Sequence, residues 1–197
     1  MPKAIDAVLD EAPPSNARER ILDTAYALFS RYGVRAVGVD TVVAEAGVAK
    51  MTLYRHFPSK DDLVLAFLER REERWTRAWL QAEVERRASA PSERLLAIFD
   101  VFDEWFHRDD FEGCAFINVL LEVEDRTHPV HLAAVARLAS IRSFLAELAE
   151  QAGVRSPDSF SRQWHMLMKG SIVAAGEGDQ NAARLVKEVA QMLLAAQ

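Results

Sequence analysis

Apolar side chains recur every three or four residues along most of the chain, which is the pattern of amphipathic helices. The first such stripe runs through Leu22, Ala25, Phe29 and Tyr32 and predicts a helix over about 18–32. Gly33 follows it and is a typical helix stop. No segment alternates apolar and polar residues as a half-buried strand would. The pattern therefore predicts an all-α protein of about nine helices.

Two short helices around a glycine follow at residues 39–57. Val42, Val43 and Ala46 give the first of them an apolar side, and Gly47 ends it because glycine tolerates left-handed backbone. Val48, Leu53 and Phe57 give the second helix its buried side. The opposite side is polar and basic: Lys50, Thr52, Tyr54, Arg55 and His56. Such a pair is what a helix-turn-helix needs to enter the major groove of DNA.

A long fourth helix is predicted from Ser59 to about Arg87, with Ser59 and Asp62 at the spacing of a capping box. Arg71 interrupts its apolar row, so we expect the buried face to shift there. The row itself is Leu63, Phe67, Trp75 and Trp79. We expect a flexible arm over residues 1–16, a small domain over 17–64 and a larger domain over 65–197.

The larger domain contains predicted helices 5 to 9. Helix 5 opens at Pro91, helix 8 at Pro157 and helix 9 at Asp179, and helix 6 covers about 114–124. Helix 9 has one apolar row: Ala183, Val186, Ala190 and Leu193. Helix 8 offers small residues for close packing: Gly170, Ser171 and Ala174. These features predict a homodimer through helices 8 and 9.

Composition narrows the class of protein. Half of the 197 residues are hydrophobic, yet no apolar run is long enough to span a bilayer, and we expect no membrane partner. The single cysteine, Cys114, fits a reducing cytoplasm. The net charge is −6; eight Lys and Arg against seven Asp and Glu give residues 1–60 a charge of +1, which leaves −7 for the rest. An acidic body repels DNA and turns the basic face toward it.

The turn and second helix carry a motif whose matching residues are Ala46-Gly47-Val48, Thr52-Leu53-Tyr54, His56-Phe57, Lys60 and Leu63. In spacing and residue type this motif resembles the TetR family of transcriptional regulators over about the first third of the chain. The resemblance implies a DNA-binding domain over 17–64, joined through the long helix to an effector-binding and dimerisation domain over 65–197. Two positions depart from it: Ala49 stands where the family often has a capping Ser or Thr, and Val43 where it often has Ala.

Eight residues are candidates for DNA contact: Thr41, Lys50, Met51, Thr52, Tyr54, Arg55, His56 and Lys60. The chemistry of Lys50 and Thr52 suits base edges, and Met51 adds apolar contact. Thr41 lies near a helix N-terminus, which attracts phosphate. Tyr54, His56 and Lys60 resemble the phosphate-contacting set of the family. The plain alternative is a solvated polar face on a small helical domain.

The resemblance also implies an effector cavity between helices of the larger domain. The apolar candidates to line it are Phe102, Trp105, Phe106, Phe116, Trp164 and Met168. Cys114, Asn118 and Glu122 are spaced i, i+4, i+8 and form one polar row on helix 6. They are candidate polar ligands of the effector, and Cys114 is also a candidate redox or electrophile sensor. The alternative is that the apolar set is ordinary core, Cys114 is inert and the other two face water.

Catalytic and metal chemistry have little support. His128 and His131 lie beside Glu124 and Asp125, but nothing fixes a third ligand, so solvated surface is the preferred interpretation. No catalytic or cofactor motif is present. We therefore expect a homodimeric repressor that binds an inverted-repeat operator in double-stranded DNA and is released by a small-molecule effector. The alternatives are a helical-bundle enzyme that uses Cys114 and a DNA-binding protein without an effector.

Overall fold

A computed structural model describes residues 16–197, so the arm predicted over 1–16 lies outside the described residues except for Asn16. The helices are α1 (Ala17–Tyr32), α2 (Val39–Ala46), α3 (Lys50–His56), α4 (Lys60–Arg71), a π-helix (Glu72–Gln81), α5 (Ala82–Arg87), α6 (Pro91–Phe106), α7 (Ala115–Glu122), α8 (Pro129–Gln151), α9 (Pro157–Gly176) and α10 (Ala182–Ala195). The described part contains no strand, so the all-α prediction is confirmed. Predicted helices 8 and 9 correspond to α9 and α10.

Local signals set several helix boundaries as the sequence predicts. The Ser59 hydroxyl accepts a hydrogen bond from the Asp62 amide at 3.1 Å, and the Asp62 carboxylate accepts one from the Ser59 amide at 2.9 Å. This reciprocal pair is the predicted capping box at the start of α4. At the start of α10 the prediction is displaced: Asn181 is the residue before the helix, and Asp179 instead accepts from the Asn181 amide at 2.9 Å.

The described residues form two compact units. The first contains the described residues up to Trp75 together with Ala115–Arg137, and the second contains Thr76–Cys114 together with Leu138–Gln197. In the first unit α1 packs on α2, α3 and α4, and α4 also contacts α7. The predicted boundary between a DNA-binding domain ending at residue 64 and an effector-binding domain starting at residue 65 stays a prediction.

The core of the first unit is built around Phe67 on α4. Its ring meets the rings of Tyr26 and Phe29 edge to face, with centroids 5.7 and 5.5 Å apart. Arg71, one turn further along α4, is only 7% exposed, and its guanidinium donates to the Tyr26 hydroxyl at 3.0 Å. The expectation that the buried face shifts at Arg71 is therefore wrong, because a hydrogen-bonded arginine over an aromatic ring continues the row.

The long predicted helix is helical throughout residues 60–87, but its middle is a π-helix rather than an α-helix. Glu72, at the start of the π-helix, is buried and forms an ion pair with Arg137 of α8. Extended π-helices are rare and occur often at functional sites. The four-residue spacing in the sequence predicts a helix here but does not distinguish its type.

In the second unit α10 packs on α6 and α9, α5 packs on α6, and α6 also contacts α9. Part of the row that was predicted to form a dimer interface is used in this packing instead, because Ala183 and Ala190 are fully buried within the chain itself. A different row of α10 is exposed and apolar: Leu185, Val189 and Met192. The small alanines let α10 approach its own neighbours closely, which leaves the larger side chains outside. No helix in the described part of the chain has the length and apolar character needed to cross a membrane.

Candidate nucleic-acid interface

The turn between α2 and α3 has the predicted geometry. Gly47 adopts φ 62° and ψ 42°, the left-handed conformation, and its amide donates to the carbonyl of Ala44 at 3.3 Å. Val42 and Leu53 are fully buried, and Phe57 is nearly so. Leu53 and Phe57 therefore fix which side of α3 packs on the unit, so the other side must face outward.

The outward side carries the eight predicted DNA-contacting residues. Lys50, Met51, Tyr54 and Arg55 are exposed, with Met51 79% exposed, although it is a large apolar side chain. Thr52 and His56 are half-buried on the same helix. Thr41 is exposed in the first turn of α2, and Lys60 is half-buried at the first residue of α4. All eight therefore lie in the first unit, on α3 and at the starts of the two helices flanking it.

An ion pair that the sequence analysis did not predict modifies this surface. The Lys50 ammonium lies 2.7 Å from a carboxylate oxygen of Asp40 on α2, and both side chains are exposed. The hydrogen bond and the charge of Asp40 raise the pKa of Lys50. Lys50 must therefore leave or share Asp40 before it donates to DNA. The pairing crosses the turn between two helices, so spacing along one helix gives no signal for it.

The capping of α3 is weak. Ala49 precedes it with extended backbone, φ −73° and ψ 145°, and its methyl group offers no oxygen to the amides of the first turn. The Ala49 carbonyl accepts from the Thr52 amide at 2.8 Å. The helix has seven residues, too few to be stable without its packing on the unit.

The predicted effector residues of the second unit are buried and form connected groups. Phe102, Trp105 and Phe106 of α6 form an aromatic cluster with Phe111, with ring centroids between 4.9 and 5.6 Å apart. Trp164 of α9 joins this cluster through Phe99, at centroid distances of 5.4 and 6.3 Å. Met168 and Cys114 are also buried. Phe99 and Phe111 were not among the predicted effector residues. Their position close to the other aromatic residues in the sequence was a usable signal for including them.

The remaining three predicted effector residues belong to the first unit. Phe116 is buried and Asn118 is exposed. The carboxylate of Glu122 accepts a hydrogen bond from the backbone amide of Arg35, in the loop between α1 and α2, at 2.6 Å. The polar row predicted on helix 6 is therefore divided between the two units, with Cys114 in the second.

A buried polar group of the second unit was not predicted. His165 of α9 is 3% exposed, and its Nδ1 has no hydrogen-bond partner within the described residues. Burial, with the nearby charges of Lys169 and Arg142, lowers the pKa of His165 to about 3. Burial and Arg142 also lower the pKa of Lys169. Across the described part of the chain, neither cation has an acidic partner within ion-pair distance.

The two histidines weighed as metal ligands have other partners. The Nε2 of His128 lies 3.3 Å from the carboxylate of Asp61, and the Nδ1 of His131 donates to the carbonyl of Val123 at 2.7 Å. Within the described residues no group of three His, Cys, Asp or Glu side chains is placed to hold a metal ion.

Two protein families match the chain. Residues 21–67 match the family described as bacterial regulatory proteins, tetR family, and residues 91–196 match the Tetracyclin repressor-like, C-terminal domain. Among curated relatives, the transcriptional repressor KstR of Rhodococcus jostii is 49% identical over 57 residues, 29% of this chain and 27% of KstR. The transcriptional activator FasR of Mycolicibacterium smegmatis is 33% identical over 97 residues, 49% of this chain and 43% of FasR. The chain thus spans less than half of the length of each of these relatives.

Solved structures match over nearly the whole chain. SCO4454, a TetR-family transcriptional regulator from Streptomyces coelicolor, is 32% identical with a TM-score of 0.83, over 91% of this chain and 95% of that one. The protein sav143 from Streptomyces avermitilis, whose crystal structure is also solved, is 33% identical with a TM-score of 0.82, over 92% of this chain and 98% of that one. With a helix-turn-helix in place and both family domains matched, the chain belongs to the TetR family of transcriptional regulators.

Proposed function

We propose that this protein is a cytoplasmic homodimeric repressor that binds an inverted-repeat operator and leaves it when a small molecule binds the C-terminal domain. The observation that carries the proposal is the orientation of α3. Leu53 and Phe57 are buried while Lys50, Tyr54 and Arg55 are exposed, so the polar residues are available to a major groove.

A dimer follows from the limited reach of one α3. Seven residues contact few base pairs, and two half-sites about 34 Å apart on one face of DNA give a sufficient site. The exposed apolar residues of α9 and α10 support a second copy as the partner: Met166, Val173, Leu185, Val189 and Met192. Light scattering at micromolar concentration should give the mass of a dimer, and a monomer would contradict this part of the proposal.

The effector, on this proposal, carries an anionic group such as a carboxylate. Lys169 and Arg142 bring two positive charges near the neutral His165, without a carboxylate to offset them. A half-buried cation without an acidic partner is stabilised by an anion. A thermal-shift comparison of carboxylic acids with their amides should show larger shifts for the acids, and Lys169→Met should remove the difference.

The segment of residues 60–87 is the proposed route of the signal. It is helical throughout and includes the π-helix over Glu72–Gln81. Trp75 is buried, and Trp79 packs edge to face on Trp105 with centroids 6.4 Å apart. We therefore expect tryptophan fluorescence to change when operator DNA binds.

The decisive experiment is selection of DNA from a random pool by the purified protein. The proposal expects an inverted repeat, and Lys50→Ala should select a different or shorter consensus because base contacts specify sequence. Arg86→Ala is a matched control that removes an exposed cation from α5, and it should select the parent sequence. Recovery of no consensus at moderate salt would favour the alternative of a DNA-binding structural protein without an effector, which should bind regardless of sequence. Turnover lost on Cys114→Ala would favour the enzyme.

A further inference from the structure

Glu122, the last residue of α7, holds the loop between α1 and α2. Its Oε2 accepts a hydrogen bond from the backbone amide of Arg35 at 2.6 Å. The carboxylate also lies against Gly33, where a Cβ would come within 3.0 Å of the Glu122 carboxyl carbon and 3.1 Å of Oε2. Gly33 has φ +82°, which also favours glycine. The absence of a side chain at Gly33 therefore leaves room for the Glu122 carboxylate to lie against the loop.

The surroundings of this contact are part of the same unit and partly buried. Val34 of the loop, Val64 of α4 and Val130 of α8 are nearly inaccessible to solvent, and they line a cleft of about 400 Å³. His128, six residues after Glu122, makes a second polar contact from the same segment, to Asp61 in the first turn of α4 at 3.3 Å. The segment that follows α7 is thus fixed to the first unit at two separate places.

The loop matters because it leads directly into α2. Gly38 precedes that helix and provides no side-chain cap, so little else in the local sequence fixes where α2 begins. Thr41 lies in the first turn of α2, and the loop that connects α2 to α3 comes directly after the end of α2. A hydrogen bond to a charged acceptor restricts a loop that would otherwise lose its conformational freedom only when DNA binds.

We propose that Glu122 is a positioning residue for DNA binding, which orders the α1–α2 loop through the Arg35 amide and thereby places α2 and α3. The inference rests on the proposed DNA-binding function. On this inference, the end of α7 contacts and orders the loop that leads into the helix-turn-helix. The same helix was otherwise expected to line the effector cavity.

Electrostatics alone makes the opposite prediction. Removing a carboxylate from the protein should strengthen attraction to the DNA polyanion. Positioning predicts that Glu122→Ala weakens binding in spite of the lost negative charge. Glu124→Ala is the matched control, because Glu124 lies two residues away, is 87% exposed and, among the residues that the structure describes, reaches only the Arg35 side chain, at 4.0 Å. That variant should bind at least as well as the parent.

The experiment measures two quantities in full-length parent, Glu122→Ala, Glu122→Gln and Glu124→Ala. The first is hydrogen exchange of the Arg35 amide without DNA, which should become at least tenfold faster in Glu122→Ala and stay unchanged in Glu124→Ala. The second is affinity for the operator selected by the parent protein, which should fall about tenfold in Glu122→Ala, the effect of losing one hydrogen bond to a charged group. Glu122→Gln keeps an acceptor at the same reach and should recover part of both losses.

The outcomes separate this inference from the proposed function. If the parent selects no operator, the proposed function fails, and the exchange of the Arg35 amide still reports on the contact. If the parent selects an operator and Glu122→Ala binds it as tightly as Glu124→Ala does, the positioning role is wrong. Equal loss of affinity in Glu122→Ala and Glu122→Gln, with a lowered midpoint of thermal unfolding in both, would also overturn it, because general destabilisation would then explain the result.

Discussion

Replacing Ala49 with serine should stabilise α3, the helix that carries most of the predicted DNA contacts. Ala49 has the extended backbone of an N-cap residue, as Ser59 does before α4, but only Ser59 supplies a side-chain oxygen. A serine at position 49 can offer its hydroxyl to the free amides in the first turn of α3. An N-cap of this kind contributes about 1 kcal/mol.

The magnitude follows from the length and exposure of α3. With seven residues and one fully buried side chain, Leu53, the helix opens locally more easily than the long helices. About 1 kcal/mol corresponds to roughly a fivefold change in an opening equilibrium at 25 °C. The amides of α3 should therefore exchange with solvent about fivefold more slowly in Ala49→Ser, and operator affinity should rise by roughly fivefold at most.

Amide hydrogen exchange followed by NMR measures this directly, and the chain offers matched controls. Ala49→Thr and Ala49→Val have nearly the same shape, and only threonine carries the hydroxyl. Slower exchange in Ala49→Ser and Ala49→Thr but not in Ala49→Val is the expected result. Ser59→Ala should produce the reverse effect, localised to the start of α4. If the threonine and valine variants exchange at the same rate, the absence of a cap does not limit the stability of α3.

Three further predictions concern charge. Lys60→Ala should weaken binding to all DNA sequences alike and reduce the salt dependence by about one unit, and a changed base preference would contradict the assignment of Lys60 to phosphate. Asp40→Asn should tighten binding to all sequences, because it removes a carboxylate from the surface that faces DNA and frees Lys50 from its ion pair; weaker binding in gel-shift titrations would refute this. His165 has a pKa near 3 in the folded protein against 6.5 in the unfolded chain, so the unfolded chain takes up the proton first as pH falls. Stability should decrease by about 2 kcal/mol between pH 7 and 5, and His165→Phe should remove that part of the pH dependence in urea unfolding.

The sequence by itself determined the features that depend on neighbouring residues. The left-handed turn at Gly47, the capping box at Ser59 and the buried side of α3 were all predicted and are present. Each involves residues at most a few positions apart, whose spacing fixes their geometry once a helix forms. For the same reason, the family motif was readable from residue type and spacing alone.

Only the tertiary structure decided the contacts between distant segments. The sequence places Glu122 on a polar row of a helix, and packing brings its carboxylate to the amide of Arg35, 87 residues away. The pairing of Lys50 with Asp40 and that of Arg71 with Tyr26 likewise join different helices.

The faces of α10 show the physical reason. Both the row of Ala183 and Ala190 and the row of Leu185 and Val189 are apolar, so amphipathicity does not decide which one is buried. The smaller side chains allow α6 and α9 to approach within the protomer, and the larger ones remain outside. The spacing of apolar residues along one helix identifies its apolar faces, but the shapes of the neighbouring helices decide which face is buried.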